Sequence, residues 1–100
     1  MQKMHDFKLI DEALAILDVT QAEFSQRYLG KSHGYVSAIR ATGIPPSTCA
    51  LSHFSQRLRL QLECLDKAMK SPAVDALRYL LTATDEALME RALKACARSK

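Results

Sequence analysis

The sequence contains few glycines, prolines and cysteines, and it has no long apolar run. Its 100 residues include three glycines, three prolines, three cysteines and no tryptophan. So few glycines and prolines argue against an all-β fold with many turns and against a disordered chain. No apolar run approaches the roughly 18 residues that cross a bilayer, and the polar residues 1–8 do not resemble a signal peptide. We therefore expect one globular domain, or one domain with a helical extension, in the cytoplasm.

The cysteines and histidines do not form a pattern that predicts chemistry. Cys49, Cys64 and Cys96 are an odd number at wide spacing, which predicts reduced thiols packed against apolar neighbours rather than disulfides. Cys49 and His53 stand four positions apart, but a metal site needs two more ligands at suitable positions. The sequence has neither a local nucleophile signature nor a glycine-rich phosphate loop. We expect no enzyme activity, no metal and no cofactor.

Acidic residues are absent from the middle of the chain. Residues 24–62 contain five basic side chains and no carboxylate, whereas residues 1–23 contain two basic and five acidic side chains. Because a carboxylate would repel phosphate groups, the acid-free stretch favours a surface that faces a polyanion. The alternative is that the five cations are scattered over several faces and serve only solubility. The five are Arg27, Lys31, Arg40, Arg57 and Arg59.

Apolar residues recur three and four positions apart along most of the chain, a spacing that predicts helices throughout. Thr20 and Glu23 form a capping-box sequence at the start of the second helix. Gly30 and Gly43 are suited to end the second and third helices, and Ser32 to cap the third. The fold class is therefore predicted to be all-α, with five to six helices. The predicted helices cover residues 7–17, 20–29, 32–41, 47–69 and 72–81, with a last helix after Thr84 and Asp85.

The segment 20–58, TQAEFSQRYLGKSHGYVSAIRATGIPPSTCALSHFSQRL, has an ordered set of features. Gln21 opens one helix, Gly30 marks a turn, and Val36 and Ile39 are core positions of the next helix. This segment resembles the lambda-repressor-like helix-turn-helix family. The run LGKSHGYVSAIR, followed by PPS, is also similar to an uncharacterised family of small bacterial proteins with predicted helix-turn-helix domains. The resemblance implies a DNA-binding transcriptional regulator of bacterial or phage type, acting as a repressor.

Two positions depart from the pattern of the lambda-repressor-like family. The apolar residue of the second helix and the turn glycine usually lie five apart, but Phe24 and Gly30 lie six apart. One extra residue must therefore fit into the second helix or its turn. Lys31 stands where the family usually has an apolar residue. Both changes bear on the angle between the two helices and on how the motif docks on DNA.

The resemblance assigns the predicted third helix to the major groove, where its exposed residues reach base edges. Of these residues, His33 and Ser37 are the best candidates for reading bases, since glycine and alanine only allow close approach. The predicted base-contacting residues are His33, Gly34, Tyr35, Ser37 and Ala38. Contacts to phosphates would position the protein without reading sequence. The predicted phosphate-contacting residues are Gln21, Arg27, Lys31, Ser32, Arg40 and Ser47.

The C-terminal helices contain more leucine than a compact four-helix core needs. We therefore divide the chain into a helix-turn-helix DNA-binding core, residues 1–62, and a helical extension, residues 63–100. We expect the extension to form a homodimer interface, because repressors of this class typically bind paired half-sites. One alternative is that the extension closes the core of the monomer, and another is a helical adaptor or anti-regulator that binds a protein instead of DNA. The predicted interface residues are Leu62, Leu65, Met69, Leu77, Leu80, Leu81 and Leu88.

Overall fold

The computed structural model describes residues 6–65 and 71–98, and every regular element in that part of the chain is a helix. The prediction of an all-α fold with five to six helices is confirmed. No helix in the described ranges is both long and apolar enough to cross a membrane. The helices are α1 (Asp6–Leu17), α2 (Gln21–Glu23), which continues directly as a π-helix (Phe24–Tyr28), α3 (Tyr35–Thr42), α4 (Thr48–Cys64) and α5 (Pro72–Arg98).

One apolar core joins all of these helices except the short first turn of α2. Its centre is a cluster of three aromatic rings, with Phe24 and Tyr28 stacked at 5.7 Å between centroids and Phe54 edge-on to both. Such offset and edge-on arrangements are favoured over face-to-face stacking. The buried apolar residues of the core are Leu9, Ile10, Ala13, Phe24, Tyr28, Leu29, Val36, Ile39, Ala50, Leu51, Phe54, Leu58 and Leu80.

The C-terminal helix α5 is continuous, so the predicted break at Thr84 and Asp85 is wrong. Thr84 is fully buried and its hydroxyl donates to the Leu80 carbonyl at 2.7 Å, one helical turn back. The Asp85 carboxylate accepts hydrogen bonds from Ser55 (2.7 Å) and Arg59 (2.5 Å) of α4. Both side chains therefore have hydrogen-bond partners that leave the backbone hydrogen bonds of the helix intact. The resulting 27-residue helix is about 40 Å long.

Arg91 ties the second half of α5 to the beginnings of two other helices. Its guanidinium donates to the Asp6 carboxylate at 2.8 Å, the Pro46 carbonyl at 2.7 Å and the Thr48 hydroxyl at 3.1 Å. Leu80 of the same helix lies in the common core. The extension therefore packs on the N-terminal helices and closes their core.

The predicted burial of the cysteines is wrong, because Cys49, Cys64 and Cys96 are all exposed. The apolar stripe of α4 runs through Ala50, Leu51, Phe54 and Leu58, so Cys49 lies outside it. Helix α4 also ends at Cys64, earlier than predicted. The rest of the predicted helix, residues 66–69, lies outside the described residues.

Candidate nucleic-acid interface

The segment 20–58 begins with the predicted capping box. The Thr20 hydroxyl accepts the Glu23 amide at 3.1 Å, and the Glu23 carboxylate accepts the Thr20 amide at 3.2 Å. These bonds satisfy two donors that a helix N-terminus otherwise leaves unpaired. They also fix the position of Gln21, the first residue of α2.

The extra residue between Phe24 and Gly30 lies in a π-helix. The Leu29 amide donates to the Phe24 carbonyl at 3.1 Å, a bond that spans five residues instead of four. A π-turn holds one more residue than an α-turn, so Phe24, Tyr28 and Leu29 all remain buried despite the longer spacing. The inserted residue is accommodated in the helix itself.

Gly30 ends this helix in the left-handed conformation, with a φ of +67°. A Cβ added at Gly30 would lie 2.7 Å from Cδ2 of His53, which is closer than real Cβ atoms come. The ring of His53 is itself fixed, because its Nδ1–H donates to the Tyr28 carbonyl at 2.9 Å. Glycine is therefore required at position 30 both for its backbone angle and for the approach of α4.

Helix α3 begins at Tyr35, and Ser32 does not cap it as predicted. The N-cap is Gly34, which has no side chain. The missing cap comes from the preceding helix, where the fully buried Ser25 hydroxyl accepts the Val36 amide at 3.1 Å and donates to the Gln21 carbonyl at 2.8 Å. Sequence reasoning missed Ser25, because its partner lies 11 positions away and no local pattern marks it.

The outer face of α3 consists of small, exposed residues. Val36 and Ile39 are buried as predicted, while Ser37, Ala38 and Ala41 face solvent. The Ser37 hydroxyl donates to the side-chain oxygen of Gln21 at 3.2 Å. The structure thus brings together a predicted base-contacting residue and a predicted phosphate-contacting residue. The amide nitrogen of Gln21 has no partner among the described residues.

Three of the other predicted contact residues are exposed, but they do not lie on α3. His33 belongs to the turn before α3, and Gly34 caps the helix, so neither is on its outer face. Ser32 and His33 are exposed, as is Arg27 on the π-helix. All three precede α3 in the chain, so the predicted contact residues on α3 itself are Tyr35, Ser37, Ala38 and Arg40.

Tyr35 and Ser47 bond to each other, and this corrects two predictions. The Ser47 amide donates to the Tyr35 hydroxyl at 2.9 Å, and the Ser47 hydroxyl accepts the Ala50 amide as the N-cap of α4. The Ser47 backbone amide is therefore not free for a phosphate. The ring of Tyr35 is partly buried, with the Lys31 ammonium 5.8 Å from its centroid. Tyr35 joins α3 to α4 and does not project outwards.

Two of the five cations of the acid-free stretch are paired with carboxylates from outside it. Arg40 pairs with Asp11 of α1 at 2.5 Å, and Arg59 pairs with Asp85 of α5 at 2.5 Å. Arg40 is therefore not the free phosphate ligand that was predicted. The other three have no ion pair with any described residue; they are Arg27, Lys31 and Arg57.

The predicted dimer interface is largely turned inwards. Leu80 is fully buried in the core of its own chain, so its assignment to an interface is wrong. Leu77, Leu81 and Leu88 are partly buried against that core, Leu62 and Leu65 are partly buried, and Met69 lies outside the described residues. The large apolar side chains that are exposed on α4 and α5 are Leu60 (54%), Tyr79 (44%), Met89 (65%) and Leu93 (65%).

Among the residues that the structure describes, His, Cys, Asp and Glu side chains do not gather into any group that could hold a metal. Comparison with known proteins gives one family, DUF6626, a family of unknown function, which matches residues 12–99. No curated protein and no solved structure matches the chain. Since the match spans most of the sequence, the chain belongs to the family DUF6626.

Proposed function

We propose that this protein binds double-stranded DNA as a cytoplasmic transcriptional regulator, a repressor, with α3 in the major groove. The observation that carries the proposal is the hydrogen bond between Ser37 on the outer face of α3 and Gln21 at the start of α2. It joins the residue that we propose to contact bases to the residue that we propose to contact a phosphate. Ala38 and Ala41 beside Ser37 leave room for close approach of the helix to a groove.

The charge distribution supports the same surface. Arg27 and Lys31 have no carboxylate partner within the described residues, and both precede α3 in the motif. Contacts from these cations would supply affinity, while Ser37 and His33 would supply the polar contacts to bases. With two such side chains, sequence preference is expected to be modest in each half-site.

The test is an electrophoretic shift on the DNA upstream of the protein's own gene, at about 50 and 200 mM salt. Affinity should fall steeply with salt. Lys31→Glu should weaken binding to all duplexes and lower the log–log salt slope by about 0.9, whereas Ser37→Ala should change the ranking of duplexes. The matched control is Arg78→Glu on α5, an exposed cation outside the motif. The proposal would be contradicted if Lys31→Glu left the DNA affinity unchanged, or if Arg78→Glu lowered that affinity as much as Lys31→Glu does.

We also propose that two copies associate through the exposed apolar face of α5. Met89 and Leu93 lie one helical turn apart, and each is 65% exposed. Glu86 precedes this face in the helix, and Lys94, whose ammonium lies 4.0 Å from the Glu90 carboxylate, follows it. An antiparallel second copy would therefore oppose unlike charges. Light scattering measures this assembly state.

The second candidate function is a helical adaptor or anti-regulator without DNA binding. The exposed Met89 and Leu93 favour it, because the same face would suit an apolar protein partner. The two candidates are separated by the shift experiment. The absence of a shift on any duplex at low salt, together with a partner recovered by pull-down that Leu93→Glu loses, would favour the adaptor.

A further inference from the structure

We infer that Arg57 of α4, together with Lys31, binds a phosphate group at the side of the helix-turn-helix segment. If the proposed function holds, this phosphate belongs to the DNA backbone, and the interface extends from α3 to α4. Arg57 was not among the predicted contact residues. The inference rests on its position, its unpaired charge and the chemistry of its neighbours.

The position of Arg57 follows from the residues one helical turn before and after it. His53 donates to the carbonyl of Tyr28 at 2.9 Å, and Gln61 donates to the hydroxyl of Tyr28 at 2.8 Å. Residues four apart on a helix share a face. Arg57 therefore lies on the face of α4 that contacts Tyr28, the last residue of the π-helix.

Lys31 adjoins the same place. The ring of His53 packs against Gly30, and Lys31 is the next residue in the chain. The backbone of Lys31 therefore lies next to the contact between the turn and α4, and its ammonium lies 5.8 Å from the centroid of the Tyr35 ring on α3. Neither Lys31 nor Arg57 has an ion pair with any residue in the ranges 6–65 and 71–98, and no residue in the stretch 24–62 is acidic.

The environment of Arg57 is costly for a cation without an anion. Its side chain is partly buried, it has no hydrogen bond or ion pair among the described residues, and its Nε–H is buried without an acceptor. By contrast, Arg59 and Arg91 each have a carboxylate. Burying a charged donor without a partner is unfavourable, and an apolar side chain of similar length would fit the fold better. A ligand that brings negative charge would remove this cost.

The two side chains are suited to a phosphate. A guanidinium offers a planar fork that pairs with two phosphate oxygens, and an ammonium adds a mobile point charge. His53 does not need to touch the ligand, since its bond to Tyr28 holds the turn against α4.

The first test is Arg57→Met in the full chain, with the salt dependence of DNA affinity and the melting temperature both measured. We expect the log–log salt slope to fall by about 0.9, while the melting temperature stays level or rises. Arg57→Lys should keep the slope, since the charge remains. The control Arg78→Met, an exposed cation on α5, should change neither quantity. An unchanged slope in Arg57→Met, or a slope lost equally in Arg57→Lys, would overturn the inference.

The second test separates the two sources of phosphate and the two proposals. Inorganic phosphate is titrated against chloride at equal ionic strength, and the melting temperature of the wild type is compared with that of Arg57→Met. If phosphate raises the melting temperature of the wild type more than that of Arg57→Met, and no duplex binds, the phosphate site is supported and the DNA-binding function is refuted. If DNA binds with the same slope in both proteins and phosphate has no specific effect, the function stands and the site fails.

Discussion

At the scale of the residue, Tyr79 shows how one side chain can make stability depend on pH. Its hydroxyl donates to the Glu12 carboxylate at 2.5 Å and joins α5 to α1. This hydrogen bond, with smaller effects of burial and of the Glu12 charge, raises the pKa of Tyr79 above 10.0. The folded state therefore favours the protonated phenol, which can donate.

This linkage predicts a difference between the wild type and Tyr79→Phe that depends on pH. A pKa raised by folding contributes stability that is fully present below the unfolded value of about 10 and is lost as pH rises through the folded value. The wild type should melt at a higher temperature than Tyr79→Phe near pH 8, and the gap should close above pH 10. Thermal melts across that range measure it. Glu12→Gln should lose the same pH dependence, and a constant gap would argue against the linkage.

Arg40 shows that a charge pattern in the sequence does not by itself predict which cations are unpaired in the folded protein. The absence of acids from residues 24–62 favoured a surface that faces a polyanion, with Arg27, Lys31 and Arg40 as its predicted phosphate contacts. The fold brings Asp11 from α1 against Arg40 and Asp85 from α5 against Arg59. Both carboxylates lie more than 25 positions from their partners. Neutralisation at such distances cannot be seen in a local stretch of sequence.

At the scale of the element, the junction between the π-helix and α3 depends on Ser25. The Ser25 side chain is fully buried, and its hydroxyl links the Gln21 carbonyl to the Val36 amide. The Lys31 amide also donates to the Ser25 carbonyl at 2.9 Å, which tightens the turn. The first turn of α3 is thus oriented by the preceding helix.

Ser25→Ala should therefore destabilise the protein. The Val36 amide would be left buried without an acceptor, at a cost of about 1–3 kcal/mol. Chemical denaturation measures the loss in the free energy of unfolding. Ser52→Ala, at an exposed serine of α4, is the matched control and should change it by less than about 0.5 kcal/mol. Equal effects of the two substitutions would show that Ser25 does not cap α3.

The π-helix illustrates what spacing alone can and cannot predict. The six-residue interval from Phe24 to Gly30 is one residue longer than in the family that the segment resembles, which predicted an extra residue in the helix or its turn. Whether it would form a longer turn or a π-helix depended on α4, where His53 and Gln61 hold the two ends of Tyr28. Those contacts keep Tyr28 in the aromatic cluster while the backbone bond spans five residues.

At the scale of the whole molecule, the proposed homodimer predicts a mass of about twice 11.2 kDa in light scattering at high micromolar concentration. Leu93→Glu should shift the protein to the monomer, because it places a charge in the apolar contact. Ala73→Glu, at an exposed position on the opposite side of the same helix, should leave the mass unchanged. A wild-type monomer at that concentration would refute the dimer.

The sequence by itself determined the features that depend on neighbours within one helical turn. Apolar spacing gave the all-α class, Thr20 and Glu23 gave the capping box, and Gly30 gave the end of the helix. Only the tertiary structure decided the cap of α3, the continuity of α5 and the pairing of Arg40, since each depends on a group brought close by folding. Local patterns specify helices because their hydrogen bonds are local, whereas the charge and shape of a surface depend on distant parts of the chain.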